Sequence, residues 1–324
     1  MQKEHLYYPS ADGQHTIHAI LWQPEDPKAV VQIVHGIAEH AGRYENYAQY
    51  LCSRGFAVAA EDHLGHGASA AAPDGSDACF FAEKNGWQTV CTDILALTKT
   101  VKARFAGLPY FLLGHSMGSF LARTIMLQHS REFTGLLLSG TGHQNGVTLF
   151  FGGLLARLIC LFCGPRKKSR LINTLAFAAY NKKFSPNRTD FDWVCSDPAE
   201  VDRYIADEKC GAMATAGLFL DMLHGLALIK SPKRLRQIRK DLPVYLYSGD
   251  QDPVGGMGKG VRKVAALYKA AGLTDVTLTL YKNGRHEMHN EPNKAKVMQA
   301  AADWIETKLH AAAAAKQPAT PKLQ

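Results

Sequence analysis

The chain has 324 residues, 46% of them hydrophobic and 20% charged, which is enough to bury a core in one large domain or one domain with an insertion and excludes a largely disordered chain. Its formal charge of +8 would suit an anionic membrane surface, whereas no nucleic-acid motif with base-stacking aromatics accompanies it, so nucleic acid is not an expected partner. Seven cysteines scattered among apolar neighbours and a polar start without a signal-peptide pattern point to reduced thiols and a cytoplasmic protein.

Tyr7-Tyr8 and His15 to Trp22, split by Ala11-Asp12-Gly13, read as an antiparallel pair. The β-branched run Ala29 to Val34 suits a sheet covered on both faces, and His35-Gly36-Ile37 follows it directly. A helix over 43–54, ended by Gly55, leads to a strand at 56–60. In Glu61-Asp62-His63-Leu64-Gly65-His66-Gly67-Ala68-Ser69 the two histidines invite a metal reading, but no third ligand stands at a recognisable spacing, and a tight structural loop is expected instead. A long helical pattern spans 87–105.

The apolar run Leu108 to Leu113 then reads as a buried strand, Ser119 to Met126 as a helix, and between them stands Gly114-His115-Ser116-Met117-Gly118. Strand, sharp turn and helix with G-x-S-x-G at the turn make a nucleophile elbow. The glycines let strand and helix approach closely, and the turn exposes the Ser116 hydroxyl above the sheet edge. With that elbow downstream, the backbone N–H groups of Ile37 and Met117 are the expected oxyanion donors. His35, Gly36 and His115 are expected to lie beside the substrate.

Another strand is predicted at 133–139 and the next at 244–248. Roughly a hundred residues separate them, far more than one helix with short loops requires, so 142–236 is read as a helical cap inserted between a first core part, 1–141, and a second, 237–310. Ligands bind over the C-terminal strand ends in open α/β sheets, where such a cap would lie. Within it, Val147 to Cys163 is nearly all apolar but, at 17 residues with Arg157 inside, short for a membrane span. It could line an acyl pocket, with Leu149, Phe150 and Leu154 as candidate contacts, dip into a bilayer surface, or pack the cap onto the body. The pair Cys160 and Cys163 lacks a second pair at metal spacing and is read as apolar packing. Two basic clusters, 166–170 and 230–240, could place the cap on anionic lipid.

After the strand ending at Ser248 come Asp250 and Asp252, either of which could accept the second ring N–H of a catalytic histidine. Asp252 precedes a proline, which favours an extended backbone, and stands further along the loop; Asp250 is expected to brace the turn. A helix at 259–271 and a strand at 276–281 lead to Asn283-Gly284-Arg285-His286-Glu287-Met288-His289. His286 is the expected base and His289 the alternative. The last helix, 293–310, is followed by a low-complexity stretch, 311–324, read as a flexible tail.

His35-Gly36-x-x-Glu39-His40-x-Gly42-Arg43-Tyr44, Asp62-His63-x-Gly65-His66-Gly67-x-Ser69, the pentapeptide around Ser116, Asp252 and His286 together resemble the monoacylglycerol lipase and lysophospholipase branch of the α/β-hydrolases, also grouped with serine aminopeptidases. The resemblance covers about 10–310 and implies an α/β fold: a mostly parallel eight-stranded sheet with helices on both faces and an inserted helical cap. It implies serine-hydrolase chemistry on a small lipid ester, with Ser116, Asp252 and His286 as the triad and neither metal nor cofactor. An aminopeptidase, amidase or acyltransferase would use the same triad, and a non-catalytic scaffold the same fold.

Overall fold

The computed structural model describes residues 1–70, 72 and 75–316. Eight strands form one sheet in the order β1-β2-β4-β3-β5-β6-β7-β8, with β1 (Gln2–Pro9), β2 (Thr16–Gln23), β3 (Ala29–Val34), β4 (Phe56–Glu61), β5 (Tyr110–His115), β6 (Gly135–Ser139), β7 (Val244–Gly249) and β8 (Val276–Tyr281). The β1–β2 and β2–β4 pairs are antiparallel and every later pair is parallel. β3, β4, β5, β6 and β7 are buried along their whole length. Their continuous Val, Leu, Ala and Phe runs fit strands covered on both faces.

On one face α2 (Gly86–Arg104), α3 (Met117–His129) and α10 (Lys259–Ala270) belong to one apolar core; on the other, α1 (Glu45–Ser53) and α11 (Lys294–Lys316) close a second. α11 runs to Lys316, six residues into the stretch expected to be a tail. The reason is Ala311 to Ala315, since alanine is the strongest helix former. The remainder of that stretch, from 317, lies outside the described residues.

Between β6 and β7 come α4 (Gly146–Cys163), the short α5 (Arg170–Asn173), a π-helical turn (Thr174–Ala178), α6 (Ala179–Asn181), α7 (Pro198–Ala206), α8 (Ala216–Leu228) and α9 (Pro232–Leu235). α8 packs on α2, α3 and α4. Gly225 is the close-contact point, because a Cβ there would stand 2.1 Å from the Trp87 ring.

The elbow depends on two other close approaches. A Cβ on Gly118 would lie 2.0 Å from the Val34 carbonyl oxygen, and one on Gly114 would lie 2.5 Å from the Gly118 oxygen. Helix α3 therefore starts directly against the end of β3, which brings the segment after β3 beside Ser116. Replacing Gly118 by alanine forces these backbones apart, and overpacking of that kind costs about 1–3 kcal/mol. The urea midpoint of Gly118→Ala should fall accordingly; an unchanged midpoint would contradict this contact.

Candidate active site

Ser116 has φ 52° and ψ −122°, a positive-φ conformation unusual for a side-chain-bearing residue and typical of strained functional turns. Its N–H is held by the Ser139 carbonyl at 3.0 Å and its own carbonyl accepts the Ser119 hydroxyl at 2.6 Å. Among the described residues no hydrogen bond reaches its side-chain hydroxyl. Met117 opens α3, so its N–H is one of the unpaired donors of a helix N-terminus. The N–H of half-buried Ile37 likewise has no partner among the described residues.

Asp252 is fully buried. Its Oδ1 accepts from His286 Nδ1 at 3.0 Å and from the Val254 N–H at 2.9 Å, and its Oδ2 accepts from the Ser248 hydroxyl at 2.9 Å. Backbone contact aligns the two loops, since a Cβ on Gly249 would overlap the Gly284 carbonyl, whose oxygen accepts the Gln251 N–H at 3.0 Å. Gly140 makes room for the imidazole: a Cβ there would stand 2.9 Å from His286 Cε1. The His286 ring centroid lies 4.7 Å from that of His115 and 5.2 Å from that of Trp193. Burial by itself would lower the His286 pKa; the charge and hydrogen bond of Asp252 outweigh it and hold the pKa above its usual value.

The alternatives sit elsewhere. Asp250 accepts the Asn283 N–H at 2.8 Å, bracing the turn. His289 stacks on Tyr44 with centroids 4.7 Å apart, its pKa is pushed down to about 4 by burial, and its Nε2 has no hydrogen-bond partner among the described residues.

The histidines expected beside the substrate make structural contacts. His35 is fully buried, accepts the His63 N–H on Nε2 at 3.0 Å, donates from Nδ1 to the Gly36 carbonyl at 2.7 Å and stacks on His63. His115 is buried behind His286, with Nδ1 at 3.2 Å from the Ser139 hydroxyl. Gly36 does touch the elbow: a Cβ would come within 3.1 Å of the Ser116 Cβ and 2.7 Å of Glu39 Oε1. In the 61–69 loop the Asp62 carboxylate accepts from His18 Nδ1 and from the Ala41 and Ala68 N–H groups, which makes it a scaffold.

Two cavities border residues around this centre, one at Ile37 and the other at Val254, and neither is lined by Ser116 or His286. One, of about 510 Å³, is lined by Ile37, Ala38, Phe177, Phe191, Trp193 and Tyr204 together with polar rim residues. The other, of about 370 Å³, is bounded by Thr148, Gly152 and Leu155 of α4, by Phe177, by Phe219 and by Val254. Phe177 is a wall of both. Phe150 and Leu154 are 67% and 44% exposed and line neither cavity, and Leu149 packs partly buried against the core. The inward face carries 148, 152 and 155, while 150 and 154 fall on the opposite side.

Contacts that sequence reasoning missed hold the site together. Arg43 donates to Glu39 at 2.8 Å and to both oxygens of Glu287 at 2.5 and 2.7 Å. Glu39 in turn accepts the Gly36 N–H at 2.5 Å. The two carboxylates share one cation unequally. Burial raises both, the bidentate Arg43 holds Glu287 down to about 2, and Glu39 stays above its usual value. Ala38, at φ 53°, is fixed from the cap, its carbonyl accepting the Gly211 N–H at 2.9 Å and the Tyr204 hydroxyl at 3.0 Å.

One three-donor group, His40, Asp207 and Cys210, lies within metal-binding dimensions. His40 Nδ1 accepts the Gly42 N–H at 3.2 Å. The ring proton is therefore on Nε2, and the 2.8 Å contact to Asp207 is an N–H···O hydrogen bond. That nitrogen has no lone pair for a metal without loss of the Gly42 contact.

The family model described as serine aminopeptidase, S33, matches residues 25–293. The chain belongs to this family. Within it, the chain is 27% identical to the monoglyceride lipase of Mus musculus over 317 residues, covering 95% of this chain and 92% of that one. It is 29% identical to the monoacylglycerol lipase of Mycolicibacterium smegmatis over 299 residues, covering 89% and 92%. The structure of a thermostable carboxyl esterase from Bacillus coagulans, in complex with glycerol, superposes with a TM-score of 0.89 at 27% identity, covering 95% of this chain and 99% of that one. A soluble variant of the Saccharomyces cerevisiae monoglyceride lipase superposes at 0.75 with 17% identity, a likeness of fold. The monoacylglycerol lipase resemblance read from the motifs and the eight-stranded α/β-hydrolase architecture are thus both met.

Because Asp252 is the largest of the groups that oppose burial at His286, ahead of Glu287 and Glu39, Asp252→Asn should lower the His286 pKa. NMR titration of the ring in both proteins measures this, and a pKa that stays elevated in the variant would remove Asp252 from that role.

Proposed function

We propose that this protein is a carboxylic ester hydrolase that cleaves monoacylglycerols, lysophospholipids or similar small lipid esters through an acyl-enzyme on Ser116. The observation that carries the reading is the buried His286–Asp252 pair together with the positive-φ serine turn and two backbone amides that have no partner among the described residues. Asp252 fixes the proton on His286 Nδ1, leaving Nε2 as the base. His286 takes the Ser116 proton as the hydroxyl attacks the ester carbon, a contact that closes in the substrate complex. The Ile37 and Met117 N–H groups hold the oxyanion, and one such donor is worth roughly 10²- to 10³-fold in turnover. The leaving alcohol takes its proton from His286, and water then repeats the sequence on the acyl-enzyme.

The acyl chain fits the apolar cavity beside Val254. The alcohol fits the larger one, because the leaving oxygen must face His286, whose ring abuts Trp193 in the wall of that cavity. Replacing Ser116 by alanine should abolish ester hydrolysis and labelling by a fluorophosphonate while the fold is kept. Retained turnover in Ser116→Ala would end this assignment.

The cap also supports peripheral contact with lipid. α4 is long and apolar enough to cross a membrane by length and composition, yet it lies along α8 with Val147, Phe150, Phe151, Leu158, Leu161 and Phe162 turned outward. Arg166, Lys167, Lys168 and Arg170 follow its C-terminal end. A helix lying in the interface with cations at its edge matches docking on anionic lipid. Co-sedimentation with vesicles containing anionic lipid should exceed that with neutral vesicles at low salt, and Phe150→Ser with Phe162→Ser should reduce it. Equal binding to both vesicle types would remove the electrostatic part of the proposal.

A further inference from the structure

We infer that His35 is a positioning residue for the reaction, its Nδ1–H holding the Gly36 carbonyl so that the Ile37 N–H of the same peptide unit is kept free for the oxyanion. The inference rests on the ester-hydrolase reading above and adds to it what orients one of the two donors.

The peptide unit between Gly36 and Ile37 is trans, so its carbonyl and its N–H point to opposite edges of one plane. Fixing either group fixes the other. The Gly36 carbonyl accepts from His35 Nδ1 at 2.7 Å, whereas the Ile37 N–H has no partner among the described residues.

Glycine makes such a hold necessary. A Cβ at position 36 would come within 2.7 Å of Glu39 Oε1 and 3.1 Å of the Ser116 Cβ, so the lack of a side chain lets the loop pass this close to the serine. The same lack lets the following peptide plane rotate at little cost. Half a turn would put a carbonyl oxygen where the amide proton stands, and a carbonyl repels a developing oxyanion. The peptide unit before Gly36 is pinned by Glu39 Oε1, which accepts the Gly36 N–H at 2.5 Å. Beyond Ile37, the Ala38 carbonyl accepts the Gly211 N–H and the Tyr204 hydroxyl. Among the described residues, His35 is the one hydrogen-bond partner of the unit between them.

The ring can act this way because its own proton and orientation are fixed. Nε2 accepts the His63 N–H at 3.0 Å, which requires a lone pair there and places the ring proton on Nδ1. His63 closes the pair from the other side: its Nε2 donates to the His35 carbonyl at 3.1 Å, and the two rings stack with centroids 3.8 Å apart. His35 is fully buried. Burial first, then the neighbouring His63 and His66, hold its pKa well below the usual histidine value, so the ring stays neutral and keeps both bonds.

The test compares His35→Leu with His35→Asn in the full chain. Leucine and asparagine have equal numbers of side-chain atoms and neither extends to the place of Nε2, so both lose the His63 contact. Only asparagine carries an N–H donor on the atom that replaces Nδ1. With 1-lauroylglycerol as substrate, His35→Leu should lose roughly 10²-fold in kcat, the scale of one oxyanion donor, with KM little changed, and His35→Asn should recover most of that loss. Binding of an alkyl trifluoromethyl ketone, whose adduct with Ser116 carries the oxyanion, should weaken in parallel with kcat. A histidine that only stabilises the fold predicts the same kcat for the two variants. Equal values therefore overturn the inference, as does a ketone that binds His35→Leu as tightly as the unaltered chain, and in either case ester hydrolysis itself stands. If the leucine variant does not fold, the ring tautomer of His35 in the unaltered chain, read by NMR, decides: a proton on Nδ1 is expected, and one on Nε2 overturns the inference. If the unaltered chain neither cleaves the ester nor is labelled at Ser116 by a fluorophosphonate, the ester-hydrolase reading has failed and this inference with it.

Discussion

Everything about the site follows from how closely three backbone segments pass one another at the end of β3. With no side chain on Gly114 or Gly118, helix α3 begins against the Val34 carbonyl. That proximity sets the serine turn, aims the first amides of the helix, and brings the 35–40 loop to the same spot. A pair of amide donors separated by eighty residues of chain can converge only because the strand, the turn and the loop share one packed crossing. The unusual dihedrals of Ser116 are the local cost of that convergence.

A second layer of contacts fixes the loops relative to each other. Arg43 stands between Glu39, which holds the Gly36 N–H, and Glu287, the neighbour of His286. A guanidinium fork engaging carboxylates from two loops defines distance and orientation together, as a lysine at the same position would not. The cap joins the same frame through the Ala38 carbonyl, held by Gly211 and Tyr204, and through the Glu287 N–H bonded to the Val194 carbonyl at 2.8 Å. The segment between β6 and β7 thus meets the rest of the fold at the two loops that carry Ile37 and His286.

Much of this was legible in the sequence. Strands β3 to β7 announce themselves as short apolar runs bounded by glycine or proline, and the elbow, the aspartate and the histidine occur in an order that a single fold explains. Other features had no local signal. Arg43 and Glu287 lie 244 positions apart, so their pairing exists only once the sheet has formed. Trp193 and Phe177 sit in irregular cap segments whose burial depends on what they fold against. α4 is nearly all apolar apart from Arg157, so its composition marks a helix without marking the inward face: the candidate contacts 149, 150 and 154 line neither cavity, and 148, 152 and 155 face one. His35 and His115 stand next to Gly36 and Ser116 in the chain, yet both ring nitrogens of His35 and Nδ1 of His115 are taken up by scaffold contacts. Adjacency in sequence carried no information about which way those rings turn.

The outward row of α4 also bears on kinetics. An enzyme that rests on a lipid layer meets its substrate at a surface density, so turnover follows the mole fraction of ester in that layer and the area offered, and adding inert lipid dilutes the reaction even when bulk concentrations stay constant. The same helix leaves its phenylalanines and leucines uncovered, and an apolar surface of that kind promotes self-association in plain buffer.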